Sequence, residues 1–299
     1  MLPLRSRCKL PIIFYLTKQF EIAQRGWSKM NKQFSIPPEF HEHLLPGLPV
    51  DLIYGAYASA PGGEIESGKF GSPESSAALA ANTFGLFLES PAGMPTLPGC
   101  DDLDWPALSL QLEGIARFPW SGGRHPCLDA LIRTRSALIG VESKRYEPFR
   151  PRKAEKLSDA YWRPVWGSQM RGYEAIRDGL RDGSLKFARL DAVQLVKHAF
   201  GLRTMALRLS TDTKVRPVLV YLFAEPPAWP GEHQKRITSE DRKQHREEIA
   251  RFAAFVAGDE VAFRSISYER LLDSWLRSPR DRVTAHARAI HERFSVCAR

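Results

Sequence analysis

Two apolar segments separated by only two residues constrain the fold of this chain most strongly. They span residues 128–134 and 137–146, and both are rich in the apolar and β-branched residues that favour strands. A two-residue connection predicts an antiparallel hairpin in which Thr134 pairs with Ala137. The chain is therefore expected to build a sheet around this hairpin.

The predicted register gathers the charged residues of the hairpin on one face. Counting back from the turn puts Asp129 directly opposite Glu142, and Lys144 lies two residues farther along on the same face. The opposite, core-facing side would carry Leu128, Ala130, Ile132, Ile139 and Val141. A slip of one residue would destroy both results. The hairpin therefore predicts two carboxylates and a lysine side by side.

The carboxylates of Asp129 and Glu142 predict a divalent-metal site. Two adjacent carboxylates repel each other unless a cation lies between them or one of them takes a proton. Carboxylates are good ligands for Mg²⁺, and a metal so placed can activate water and polarise a scissile phosphate. Lys144 would orient the attacking water or stabilise charge in the transition state. Charges in the middle of an apolar strand are costly unless they are paired or bind a ligand, which favours this functional interpretation.

The residues around the hairpin resemble a known nuclease motif. Residues 117–149 read RFPWSGGRHPCLDALIRTRSALIGVESKRYEPF. Pro126 and Asp129 take the place of a PD element, although two residues separate them, and residues 142–144 (ESK) match ExK without departure. The sequence thus resembles the PD-(D/E)XK nuclease superfamily, in particular bacterial restriction-endonuclease-like proteins.

This resemblance carries expectations for fold and activity. Segments 75–85 and 190–202 are also similar to that group, so the resemblance touches about residues 75–276. It implies an α/β fold with a restriction-endonuclease-like core, in which a mixed central sheet is flanked by helices. It also implies a Mg²⁺-dependent deoxyribonuclease, with Mn²⁺ able to substitute, that cleaves DNA in restriction or repair. Similar nucleases often take a further acidic metal ligand from an early helix, and Glu113 is the matching candidate beside Asp129 and Glu142.

Basic residues after the hairpin predict contact with DNA. The formal net charge of the chain is +9, which favours polyanionic partners. The predicted DNA-binding residues are Arg152, Lys153, Lys156, Gln194 and Lys197. They are accompanied by the aromatic residues Tyr161, Trp162 and Trp166, whose rings could stack on unpaired bases. A solvated helix face is the alternative explanation for any single member of this set.

The rest of the chain predicts helices and strands around the hairpin. Helices are expected mainly in segments 75–88, 152–183, 190–200, 238–257 and 269–276, with Gly201 ending the third of them. Strands are expected in segments 215–224 and 261–268, while segment 108–115 fits either a strand or a short helix. Residues 1–29 are interpreted as an N-terminal extension, and residues 30–299 as a single nuclease-like domain whose N-terminal part, 36–74, is rich in loops.

Cysteine spacing and hydropathy favour a cytoplasmic protein. The four cysteines are far apart and include no CxxC pair, so neither a structural zinc site nor a disulfide framework is expected. No apolar run in the sequence approaches the roughly 20 residues of a membrane helix.

Two other functions fit parts of the sequence. One is a catalytically silent nucleic-acid-binding module on the same fold, which would not need to keep Asp129, Glu142 and Lys144 together. The other is an unrelated enzyme with carboxylates on a sheet, such as a carbohydrate hydrolase, and it leaves Lys144 and the basic residues unexplained. His125 lies next to the predicted site, and a structural role for it is favoured over contact with phosphate or water.

Overall fold

A mixed five-stranded sheet forms the centre of the described structure. The computed structural model describes residues 36–151, 156–210, 214–231 and 235–297. Within these ranges the strands are β1 (Ser109–Ile115), β2 (Cys127–Arg133), β3 (Ala137–Lys144), β4 (Arg216–Phe223) and β5 (Ala262–Ser267), and they lie in that order across the sheet. The first three pair antiparallel, whereas β4 pairs parallel with β3 and β5 pairs parallel with β4. The predicted α/β class with a mixed sheet is confirmed.

Helices cover the sheet and complete its core. They are α1 (Pro38–Glu42), α2 (Val50–Ser59), α3 (Ser76–Gly85), α4 (Arg171–Asp182), α5 (Ala192–Leu209), α6 (Ser239–Phe255), α7 (Tyr268–Leu276) and α8 (Asp281–Phe294). Helix α5 packs against β3 and β4, whereas α3 packs against β1, β2 and β3. None of these helices is both long enough and apolar enough to cross a membrane.

The two faces of the sheet can be told apart at neighbouring residues of β3. Glu142 contacts His198 of α5, and the hydroxyl of Ser143 lies 2.7 Å from the hydroxyl of Tyr268 on α7. Because adjacent residues of a strand point to opposite faces, α5 and α7 cover opposite sides of the sheet. The described residues from Pro38 onward cluster as one compact unit. The interpretation of residues 1–29 as an extension concerns residues outside the described ranges.

The predicted hairpin register is confirmed. Ala130 pairs with Val141 and Ile132 pairs with Ile139. The backbone N–H of Thr134 donates to the carbonyl of Ala137 at 3.0 Å, which closes the two-residue turn. A hairpin register is set by the turn and by the apolar face, and both are readable from the sequence.

The side-chain alternation of β2 reverses at Asp129, which the sequence did not predict. Leu128 packs beneath α5 in the same cluster as Leu131, three residues away, so the prediction that it shares a face with Ala130 is wrong. Glu113, which the register of β1 and β2 places opposite Asp129, has a φ of +51°. The left-handed backbone of β1 and the reversal of β2 therefore fall at the same place in the paired strands.

Gly201 lies inside a helix rather than at its end. Helix α5 continues through this residue to Leu209, so the predicted stop is wrong. A Cβ atom at Gly201 would lie 2.7 Å from the Cβ of Ala116 and 2.8 Å from its carbonyl oxygen. The glycine therefore allows α5 to approach the chain that follows β1, and its role is close packing.

The predicted long helix over residues 152–183 is much shorter. Residues 152–155 lie outside the described ranges, and residues 156–170 contain only a short 3₁₀ turn, Asp159–Trp162, before α4 begins. Trp166 is buried and stacks on Phe200 of α5, with 4.2 Å between the ring centroids. Burial of this ring holds the segment in an irregular path, and Pro164 would interrupt a continuous helix in any case.

Other differences are small. The loop-rich segment 36–74 contains α1 and α2, and segment 108–115 forms a strand. The final helix is followed by a second one, α8, because Pro279 separates the two. Helix α3 begins as expected just after Ser75, whose hydroxyl accepts the N–H of Ala78 at 3.0 Å, but it ends at Gly85 rather than at Leu88.

Candidate active site

An open cavity of about 810 Å³ lies where β2 begins and β3 ends. Its wall contains every predicted site residue that the structure describes: Glu113, Asp129, Glu142, Lys144, Lys156, Gln194 and Lys197. The other two predicted DNA-binding residues, Arg152 and Lys153, lie outside the described ranges. The tertiary structure thus brings together residues from β1, β2, β3 and α5, the most distant of which, Glu113 and Lys197, are 84 residues apart in the sequence.

Glu142 is the most deeply buried carboxylate of the cavity, with 2% of its side chain exposed. Its Oε1 is paired with the ammonium group of Lys144, and its Oε2 lies 3.0 Å from Nε2 of His198. The His198 contact is close but poorly directed for a hydrogen bond. Burial alone would raise the pKa of Glu142, but Lys144 and His198 outweigh it and hold the pKa at about 2.

Lys144 remains a cation in this buried setting. Burial alone would lower its pKa, but the negative charges of Glu142, Glu147 and Asp129 raise the pKa well above its usual value. Glu147 also fixes the chain just beyond β3, because one of its oxygens accepts the backbone N–H groups of Arg145 and Tyr146 at 2.8 and 3.0 Å. The ammonium group is therefore held in place at the wall of the cavity.

Asp129 opens onto the cavity but is largely enclosed by protein. Its Oδ2 accepts the backbone N–H of Ser143 at 2.6 Å, a bond that ties the side chain to the facing strand. Burial raises the pKa of Asp129 well above its usual value, and the charges of Glu142 and Glu113 raise it further. A carboxylate in this position is costly unless a proton or another cation accompanies it.

Glu113 adds a third carboxylate, from β1 rather than from a helix. The thiol of Cys127 donates to its Oε2 across 3.2 Å. Burial raises the pKa of Glu113 to about 7; the charge of Glu142 also raises it, while the bond from Cys127 and the charge of Lys144 lower it. Three carboxylates and one lysine therefore line the same cavity.

Helix α5 contributes one polar face to the cavity. Gln194, Lys197 and His198 line the wall, and their spacing of three and four residues places them on neighbouring turns. His198 was missed as a site residue in the sequence, where it looked like a member of a polar helix face. Its position four residues after Gln194 is the signal that could have identified it.

Several predicted contacts have structural roles instead. His125 lines the cavity, and its Nδ1 accepts the N–H of Phe118 at 3.1 Å, as expected for a structural residue. Trp166 is buried away from the cavity, so the prediction that its ring stacks on a base is wrong. Tyr161 is also buried but lies in the cavity wall. The ring nitrogen of Trp162 donates to Asp178 at 2.7 Å, which holds this ring against α4.

The carboxylates provide oxygen donors but not a closed metal cage. Among the described residues, no group of three or more acidic, histidine or cysteine side chains is arranged as a metal-binding cluster. Comparison with known proteins gives no further guidance, because no protein family, curated protein or solved structure matches this chain.

Proposed function

We propose that the protein is a metal-dependent nuclease that hydrolyses phosphodiester bonds in DNA. The observation that carries this proposal is the meeting of Glu113, Asp129, Glu142 and Lys144 at one cavity. The restriction-endonuclease-like core and the PD-(D/E)XK assignment belong to the same proposal, and they are supported by the hairpin motif and by the mixed sheet.

The residues present fit a hard divalent cation. The raised pKa values of Glu113 and Asp129 reflect carboxylates that are buried close to one another and to Glu142. A cation would relieve this repulsion, and oxygen donors suit Mg²⁺ or Mn²⁺. Asp129, Glu142 and Glu113 would hold the ion, with waters and a substrate phosphate completing its shell. Such an ion would supply Lewis-acid polarisation of the phosphate.

The protein's own groups would perform the remaining work. In the proposed reaction, water adds to phosphorus and one ester P–O bond breaks, with the departing oxygen ending as a hydroxyl. The Lys144 ammonium would donate hydrogen bonds to a phosphate oxygen and stabilise the charge that develops there. Glu142 holds this ammonium in place, and His198 supports Glu142 from α5. Lys156, Lys197 and Gln194 lie around the same cavity and would position the backbone of the DNA.

Cleavage of supercoiled plasmid DNA tests the proposal. The wild-type protein is expected to nick or linearise the plasmid with Mg²⁺ or Mn²⁺ and to be inactive in EDTA. Glu142→Gln should reduce the rate by at least about 100-fold, because it removes a charge needed for the ion and for Lys144. Glu247→Gln makes the same chemical change on an exposed face of α6 and should be fully active.

Two outcomes would overturn the proposal. Cleavage that survives EDTA or Glu142→Gln would place the chemistry elsewhere. DNA binding without any cleavage would favour the catalytically silent module on the same fold. A carbohydrate hydrolase would not bind DNA, and adding the metal would produce no cleavage in this assay.

A further inference from the structure

A second cavity, of about 1020 Å³, adjoins the candidate active site. Arg150 belongs to the walls of both cavities, so one begins where the other ends. We call the second cavity the basic groove and define it by its cationic wall residues, Arg150, Lys186, Arg189, Lys235 and Arg236. None of the last four was singled out by the sequence.

The charge of the basic groove is largely uncompensated. Arg150 is paired with Glu74, and Arg189 is paired with Asp241. Asp241 is the one carboxylate among the described residues of the groove wall. The remaining cations, Lys186, Lys235 and Arg236, are exposed and form no ion pair in the described parts of the chain, although the charge of Lys235 also acts on Asp241. Five cations facing one carboxylate of the groove wall favour a polyanion.

The groove also offers aromatic and apolar surface. Trp229 is half-buried, and its ring stacks on that of Tyr146 with a centroid distance of 5.2 Å and an interplanar angle of 27°. Phe187 is another half-buried aromatic residue of the wall, and Val193 and Ile237 add apolar floor. Phosphates of a duplex need only charge, whereas unpaired bases also need flat apolar surfaces on which to stack.

The segment that carries Trp229 is paired with the one that presents Lys235 and Arg236. The N–H of Trp229 donates to the carbonyl of Lys235 at 2.9 Å, and Ala228 forms an isolated bridge with Arg236. The same backbone pairing therefore fixes a ring and two positive charges side by side. Alternating aromatic and cationic groups are the arrangement that binds single strands without reading their sequence.

We propose that the basic groove binds a single-stranded segment of DNA that continues from the phosphate held in the candidate active site. This inference rests on the proposed function, because it takes DNA as the substrate. Arg150, at the junction, would contact the backbone where the strand passes from one cavity into the other. Lys186, Lys235 and Arg236 would pair with phosphates, and Trp229 would stack on a base.

Binding measured without divalent cations tests the groove separately from cleavage. Fluorescence anisotropy in EDTA would compare an oligo-dT strand with a blunt duplex of equal length. In the groove variant, Lys186, Lys235 and Arg236 are all replaced by Gln. The control variant replaces Arg277, Arg282 and Arg288, three exposed arginines at or near α7 and α8, by Gln. Both variants lose three positive charges, so a general effect of net charge cancels.

The groove variant should bind oligo-dT at least about 10-fold more weakly than the control variant at moderate salt. Its plot of log K against log salt should be shallower by about 2 units, since each lost phosphate contact removes about 0.7 unit for a single strand. Trp229→Ala should weaken oligo-dT binding roughly 5- to 100-fold with an unchanged slope, because it removes stacking and no charge. Binding of the blunt duplex should change much less than binding of oligo-dT, both in the groove variant and in Trp229→Ala.

Other results would refute the groove. If the wild type does not bind oligo-dT, or if the groove and control variants bind it equally well, the basic groove is not a binding site for single-stranded DNA. Equal losses for duplex and oligo-dT would refute its preference for single strands. Plasmid cleavage with Mg²⁺ reports on the proposed function independently. If the wild type cleaves but the groove substitutions leave oligo-dT binding unchanged, only the proposal for the groove is refuted. A protein that binds oligo-dT through the groove but never cleaves refutes the nuclease alone.

Discussion

His245 should make the stability of the fold depend on pH. The side chain lies buried in α6, where its Nε2 is 2.9 Å from the hydroxyl of Tyr221 on β4. The rings of Phe149 and Phe223 pack against it with centroid distances of 5.8 and 5.3 Å. Burial, together with the nearby charges of Arg189 and Arg246, lowers the pKa of His245 to about 3. The folded protein therefore holds this imidazole neutral.

The sign and size of the effect follow from proton linkage. An unfolded histidine has a pKa of about 6.5, so between that value and about 3 the unfolded chain binds a proton that the folded protein does not. Stability is then complete above pH 6.5 and falls as the pH is lowered through this window. Between pH 7.5 and pH 5.0 the expected loss is about 2 kcal/mol, at about 1.4 kcal/mol per pH unit below 6.5. The loss over this range does not depend on the folded pKa as long as that pKa is below about 4.

Urea unfolding at several pH values measures this loss. The double variant Tyr221→Phe/His245→Leu removes both hydrogen-bonding partners, so it leaves no buried polar group unsatisfied. Its unfolding free energy should fall by about 2 kcal/mol less than that of the wild type between pH 7.5 and 5.0. Tyr221→Phe alone keeps the histidine and should keep the wild-type dependence. Identical pH profiles for the wild type and the double variant would refute the assignment of a buried neutral His245.

Three further outcomes are expected. Lys144→Ala should abolish plasmid cleavage while DNA binding in EDTA persists, because the lysine is proposed to act on the reacting phosphate; equal loss of both would assign it to anchoring of the DNA. Mg²⁺ or Mn²⁺ should raise the melting temperature of the wild type, since ligands that bind the native state stabilise it, and Asp129→Asn should weaken this shift; an equal shift in both proteins would exclude Asp129 as a ligand. Gly201→Ala should cost roughly 1–3 kcal/mol in urea unfolding, because its Cβ would press on Ala116, whereas Gly62→Ala, whose nearest contact is 3.8 Å away, should be close to neutral.

Local rules were sufficient for the hairpin. The two-residue turn and the period of two along the strands gave the pairing of Ala130 with Val141, and with it the common face of Glu142 and Lys144. The serine cap of α3 and the buried strand β4 were predictable for the same reason, because each depends on residues that are close in the sequence. The presence of a mixed sheet also followed, since strands separated by long helical segments pair in parallel.

Contacts between distant segments decided the rest. Nothing near Leu128 in the sequence signals that β2 reverses its alternation, and the left-handed residue opposite the reversal, Glu113, lies on the neighbouring strand. Gly201 looked like a helix end, and only the approach of Ala116 explains why it lies inside α5. Likewise, His198 belongs to the site only because α5 packs against β3 and brings its ring to Glu142.

The sequence by itself determined which chemical groups the protein has and that β3 presents Glu142 and Lys144 on one face. The tertiary structure determined which of these groups share one cavity and which are buried in the core, as Trp166 is. It also decided that Lys186, Lys235 and Arg236 lie along one groove beside that cavity. The physical reason is that turns, caps and alternation depend on a few successive residues, whereas burial and charge clustering depend on packing between segments that are far apart along the chain.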